Sequence, residues 1–191
     1  RYSSCVLMGN HQSGIDMGTF GAAYKKNLVM IGKKEVLYIP LLGLFFYVAG
    51  NILIDRGNRT DSVSKLSAGA EEIKKRGVSV GVFPEGTRNN TLEGFLKFKK
   101  GGFYLAVEAQ VPIVPMVSNS LKEVANYKTG KVGNGTVIIQ CLEPIQTTGM
   151  TTKDVDRLMT DVQDKMMKAY DALNRELGIQ AEVRIVEKKK T

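Results

Sequence analysis

The 191-residue sequence contains one histidine, His11, two cysteines, Cys5 and Cys141, five prolines and no tryptophan. A single imidazole excludes a metal site built from several histidines, and any imidazole chemistry must run through that ring. Two cysteines provide neither a disulfide framework nor a zinc-ligand spacing, which points to a reducing compartment. With 43% apolar and 24% charged residues, the chain is neither disordered nor fibrous in composition. Its length suits one domain with a buried core. It has no internal repeat and no low-complexity tract.

Positive charge is in excess and lopsided. The net charge is +8, of which +7 falls in residues 1–104 and +1 in residues 105–191. A basic half suits an anionic partner: a phosphate ligand, a nucleic acid or an anionic membrane. No nucleic-acid motif or aromatic stacking platform accompanies the basic residues, so nucleic acid is not an expected partner. A basic but merely solvated surface is the plain alternative.

Val36 to Ile54 is the one long uncharged stretch, 19 residues. That is the length of a spanning helix, yet Pro40, Gly43, Gly50 and Asn51 interrupt it. A short hydrophobic helix followed by a buried strand is the favoured reading, packed in the core or lying on a bilayer surface.

Elsewhere strands and helices alternate. Val6–Met8, Leu28–Ile31, Ile52–Ile54, Val78–Phe83, Ile113–Val117 and Thr136–Cys141 read as strands. Helices are expected over about 16–26, 60–76 and 102–109, and over a long segment opened by the capping box Thr151–Asp154. This predicts an α/β fold, a mixed, largely parallel central sheet flanked by helices. Residues 1–178 form the expected domain, and 179–191 a charged tail. Ligands in such folds sit beyond the carboxyl ends of strands, where the polar clusters 10–16, 55–59 and 84–90 fall.

Three of these features carry chemistry. In Asn10-His11-Gln12-Ser13-Gly14-Ile15-Asp16, a histidine on a turn and an aspartate in the first helical turn can meet, although on one continuous helix they would not. A carboxylate on one imidazole nitrogen fixes the tautomer and leaves the other nitrogen free to take a proton. The plainer alternative is two capping residues, and Ser13 as a covalent nucleophile is a third option, weakened by the lack of a nucleophile elbow. Phe83-Pro84-Glu85-Gly86-Thr87-Arg88 follows a strand and offers anion donors without forming a P-loop. Arg56, and Lys99 with Lys100, add cations at other strand ends. Together they describe a base-catalysed site for a phosphorylated substrate.

These segments resemble the four conserved blocks of the glycerolipid acyltransferases. Asn10–Asp16 is similar to the NHx4D block, Gly50–Arg56 to the second, Phe83–Arg88 to FPEGTR and Val111–Pro115 to the proline-bounded fourth, all in family order. The form of the second and third blocks most resembles the lysophosphatidic-acid acyltransferases. Gly14 and Asn51 depart from the usual pattern without removing a reactive group. The resemblance implies acyl transfer from acyl-CoA to the 2-hydroxyl of a lysophosphatidic acid, with His11 as general base and Asp16 orienting it. Arg56, Glu85, Gly86, Thr87 and Arg88 would hold the acceptor's glycerol phosphate, with charge from Lys99 or Lys100. Backbone N–H groups near Ile113 and Val114 are candidate oxyanion donors. Another acceptor, such as glycerol-3-phosphate or a different lysophospholipid, is the alternative, as is an inactive lipid-binding domain. No metal and no tightly bound cofactor is expected; acyl-CoA is a co-substrate. The expected partners are both lipids and a membrane surface on the cytosolic side, of the endoplasmic reticulum in a eukaryote. Lys188 and Lys189 would stand at dilysine positions if Thr191 were the natural C-terminus, and a solvated charged tail is the plainer account of them. Because the chain opens at Arg1, it reads as part of a longer protein whose membrane segment would precede it.

Overall fold

The computed structural model describes residues 4–22, 27–54, 62–91, 93–126, 130–179 and 185–186. Strand β1 (Val6–Gly9) is buried along its whole length, as a continuous apolar run covered on both faces should be. It leads through a polar turn into α1 (Asp16–Ala22), then β2 (Leu28–Lys33), a 3-10 turn (Lys34–Tyr38), α2 (Leu42–Val48) and β3 (Ile52–Ile54). There follow α3 (Ser62–Arg76), β4 (Ser79–Val82), a two-residue strand β5 (Phe95–Leu96), α4 (Gly101–Ala109) and β6 (Ile113–Ser118). A small hairpin, β7 (Ala125–Asn126) and β8 (Lys131–Val132), precedes β9 (Ile139–Cys141), α5 (Val155–Glu176) and β10 (Ile185–Val186).

The six-stranded sheet runs in the order β3-β2-β4-β1-β6-β9, parallel except for β9. This is the expected mixed, largely parallel α/β arrangement. Alternate side chains of each strand feed two cores. Val6, Met8, Val80 and Val82 pack with α3, α4 and α5, whereas Leu7 and Met30 pack with Phe20 of α1 and Phe46 of α2 on the other face. On that second face Gly81 leaves the space that Met30 and Phe20 fill; a Cβ there would lie 2.9 Å from the Phe20 ring and closer still to Met30.

The strand order also places the crevice. From β1 the chain departs toward β2 on one side, through α1. From β4 it departs toward β6 on the other side, through α4. Adjacent parallel strands whose connections leave in opposite directions open a gap at their carboxyl ends, between the loops at 10–15 and 83–100.

Several expectations change. A helix forms within 36–54, and β3 follows it, but α2 is buried on one side only: Gly43 and Phe46 turn inward, while Leu44, Phe45, Tyr47 and Val48 are exposed, as are Tyr38 and Leu41 ahead of the helix. β3 is an edge strand, and its Ile52 and Leu53 are only half-buried. Thr151 and Asp154 do form a capping box, around a 3-10 turn that runs into α5. Within the segment read as a tail, Ile185–Val186 pairs in parallel with Phe95–Leu96, because the short β5 leaves an edge free.

Candidate active site

His11 lies on the turn two residues beyond β1, and four separate groups hold it. Its Nδ1 is 2.8 Å from Oδ2 of Asp16, the first residue of α1. Its backbone N–H donates to Glu85 Oε1 at 2.7 Å, and its carbonyl accepts the Asn89 N–H at 2.7 Å. Its ring stacks on Phe83, with centroids 3.9 Å apart and planes 13° from parallel. Phe20 meets Phe83 edge-on from behind. No described residue bonds to Nε2, and the imidazole is one-fifth exposed. The ring is therefore fixed in place, with one nitrogen left open.

The local sequence explains the turn. Asp16 is fully buried, and the same Oδ2 that meets His11 accepts the N–H groups of Gln12 at 2.6 Å and Ser13 at 2.8 Å. The Asp16 carboxylate reaches back to the N–H groups of the turn before its own helix, and as an acceptor it makes His11 Nδ1 a donor. With Nδ1 protonated, the neutral ring carries its lone pair on Nε2. Ser13 is buried, and its hydroxyl oxygen accepts the Ile15 N–H at 3.2 Å, a turn role.

Neighbouring side chains anchor this turn to β6. Asn10 reaches Ser118 through both ends of its amide, at 3.0 and 2.9 Å. Gln12 donates to the Asn119 carbonyl at 2.9 Å and accepts the Leu121 N–H. Sequence reasoning missed these two struts and the Phe83 stack. The block Asn10-His11-Gln12 held the polar residues, but their partners lie over 100 positions away.

The loop after β4 presents mixed roles. Glu85, expected to bind acceptor, is turned into the protein: it is 1% exposed, and its second oxygen accepts the Leu96 N–H at 2.7 Å. Burial pushes its carboxyl up from 4.5 to about 7, against the two N–H donors, and the nearby Asp16 charge adds to the rise. Gly86 has φ +69°, a left-handed turn suited to glycine, and the Lys99 stem runs over it: a Cβ on Gly86 would meet Lys99 Cγ at 3.3 Å. Thr87 is half-buried, and Arg88 and Lys99 are exposed, with no ion pair among the described residues. Lys100 places its Nζ 2.6 Å from Asp156 of α5. Arg56 lies outside the described residues.

The expected oxyanion donors are corrected as well. Ile113 lies level with Val6 at the start of β6, while His11 lies beyond Gly9. Those three steps of strand put Ile113 about 10 Å from the site's level. Its N–H already donates to the Ile145 carbonyl at 2.9 Å, and Val114 sits inside the sheet opposite Leu7.

The site thus holds a clamped histidine–aspartate pair at a sheet crevice with a cationic loop beside it, and comparison with known proteins gives the family of the chain. The acyltransferase family model matches residues 1–119, more than half of the chain. The chain belongs to this family of acyltransferase enzymes. It is 37% identical to the 1-acyl-sn-glycerol-3-phosphate acyltransferase of Haemophilus influenzae, over 92% of this chain and 72% of that protein. It is 39% identical to the human 1-acyl-sn-glycerol-3-phosphate acyltransferase beta, over 87% of this chain and 59% of that one. The fold is shared with the crystal structure of the 1-acyl-sn-glycerophosphate acyltransferase PlsC of Thermotoga maritima. The TM-score is 0.72 at 24% identity, over 90% of this chain and 66% of that one.

Proposed function

We propose that the chain transfers a fatty acyl group from acyl-CoA to the 2-hydroxyl of 1-acyl-sn-glycerol-3-phosphate, giving phosphatidic acid and CoA. The observation that carries this reading is the state of His11: its N–H, its carbonyl, Nδ1 and one ring face are all held, and no described residue bonds to Nε2. In the reaction, Nε2 removes the proton of the acceptor hydroxyl as that oxygen attacks the thioester carbonyl. The tetrahedral intermediate then collapses, the C–S bond breaks, and the imidazolium returns the proton to the CoA sulfur. Asp16 at Nδ1 stabilises the transient imidazolium, and so does the stacked face of Phe83. The acceptor hydroxyl is itself the nucleophile, so no acyl-enzyme is needed and Ser13 has no part.

Arg88 and Lys99 supply the charge for the acceptor phosphate, with the Thr87 hydroxyl and the turn at Gly86 beside them. Arg56 joins this set on motif resemblance alone. Lys100, Ile113 and Val114 leave it, since Asp156 engages the first and the sheet holds the other two.

Both substrates are amphiphiles, and a membrane surface belongs to the same reading. The exposed apolar face of α2 and of the turn before it is larger than scattered surface hydrophobics require: Tyr47 and Val48 of the helix are 73% and 75% exposed, and Tyr38 and Leu41 ahead of it 80% and 84%. Arg76 donates to the Gly50 carbonyl, which brings the basic end of α3, Lys74 to Arg76, to the end of α2. Apolar side chains flanked by cations suit an anionic leaflet. No described helix is long and apolar enough to cross a membrane. The cytosolic face, and the endoplasmic reticulum in a eukaryote, follow from this reading.

The test is CoA release from acyl-CoA in detergent, with lysophosphatidic acid, glycerol-3-phosphate and lysophosphatidylcholine as parallel acceptors. Release that requires lysophosphatidic acid and yields phosphatidic acid supports the proposal. Preference for either other acceptor overturns the substrate, and release without any acceptor overturns the mechanism in favour of a thioesterase.

A further inference from the structure

Glu85 is an acidic side chain that the mechanism above does not use, and its geometry is unusual. Buried between the turn after β1 and the strand β5, it spends one oxygen on the His11 N–H and the other on the Leu96 N–H, each at 2.7 Å. The same loop returns four residues later to donate the Asn89 N–H to the His11 carbonyl. His11 is thus gripped at both ends of its own backbone by the loop that follows β4, independently of Asp16. A carboxylate with both oxygens committed to backbone donors, at 1% exposure, has no face to offer a substrate.

We propose that Glu85 is a positioning residue: its carboxylate sets the reach of His11 toward the acceptor hydroxyl, and its protonation loosens that grip and slows acyl transfer. The balance is simple. A carboxylate accepts both N–H groups, whereas a neutral carboxyl keeps one accepting oxygen and turns the other into an O–H donor. One of the two N–H groups then loses its acceptor, at a site where water cannot replace it. The titratable groups facing Glu85 among the described residues are Asp16 from α1, His11 from the β1 turn and Tyr170 from α5. Burial is the largest influence on its titration, which falls at about pH 7, so the change lies within the working range of a cell. A small displacement of a catalytic base is costly: about 1 Å can lower a rate about 100-fold.

This inference rests on the proposed acyl transfer for its kinetic consequence, but a second readout does not. His11 is the only histidine in the chain, so its imidazole gives a single set of ring signals in an NMR titration of the full chain. In wild type the ring shifts should follow two protonations, its own and that of Glu85. In Glu85→Gln, whose amide mimics the protonated acid in having one accepting oxygen, they should follow one. In the acyl-transfer assay at pH 8, Glu85→Gln should lower kcat about 10- to 100-fold with the KM for acyl-CoA within about twofold. The acid limb of its kcat profile should involve one proton where wild type shows two. A wild-type ring titration with a single inflection, superimposable on that of Glu85→Gln, overturns the inference and needs no active enzyme. Wild-type kcat in a folded Glu85→Gln overturns it as well. Absence of acyl transfer in wild type counts against the proposed function, and the ring titration then still decides the role of Glu85.

Discussion

Asp16 gathers three N–H donors on one oxygen, one from the imidazole and two from the backbone. Asp16→Asn keeps an accepting oxygen but can turn an N–H toward Nδ1 and favour the wrong tautomer. We expect kcat to fall about 10²- to 10⁴-fold with KM largely kept, as steady-state kinetics at saturating acyl-CoA would check. Glu85 makes a different prediction, about stability. Folding raises its carboxyl from 4.5 to about 7, so the folded chain holds a proton that the unfolded chain releases between those values. The contribution is full below pH 4.5 and is lost as pH rises toward 7, by on the order of 3 kcal/mol. Denaturant midpoints at pH 5 and pH 8 should show that loss in wild type and a smaller one in Glu85→Gln. The His11–Asp16 pairing was readable in the sequence, because a turn followed by a helix start brings positions five apart together. The Glu85 clamp was not, since nothing in a motif says whether its carboxylate faces a ligand or the backbone behind it.

The helix α2 shows the same limit at the scale of an element. Its apolar run predicted a helix and then a strand, and both formed. Its exposure was invisible, because an apolar run reads alike whether it is covered by protein or left open. Only the turn at Lys34–Tyr38 and the edge position of β3 turn that face outward. Replacing Leu44 and Phe45 together with glutamate should leave the melting temperature within a few degrees and abolish sedimentation with anionic vesicles. Retained sedimentation would mean that α2 is not the docking face. The strands with unbroken apolar runs were legible to within a residue or two. The two-residue strands β5, β7, β8 and β10 were not, because their pairing depends on partners rather than on any local pattern. Gly81 belongs with them: it reads as an ordinary strand residue, yet Gly81→Ala would press on Phe20, which backs Phe83 behind the His11 ring. A loss of about 1–3 kcal/mol in denaturant unfolding is expected from such overpacking.

For the whole molecule, sheet order converts sequence blocks into a site. Alternating strands and helices predicted a parallel α/β sheet, but not that β1 and β4 would be neighbours, and that adjacency is what brings Asn10–Asp16 against Phe83–Asn89. The blocks lie about seventy residues apart in the chain and meet only through that topology. The charge of the first 104 residues, +7, also acts at this scale. Binding to anionic vesicles should weaken steeply between low and physiological salt, and vesicles of neutral lipid should bind less with little salt dependence. The account stands or falls on His11. Acceptor-dependent CoA release should be measured with lysophosphatidic acid for wild type and His11→Ala, both shown by their melting curves to be folded. We predict release in wild type and a loss of at least about 10²-fold in the variant. Release that persists at the wild-type rate without the imidazole would contradict the mechanism.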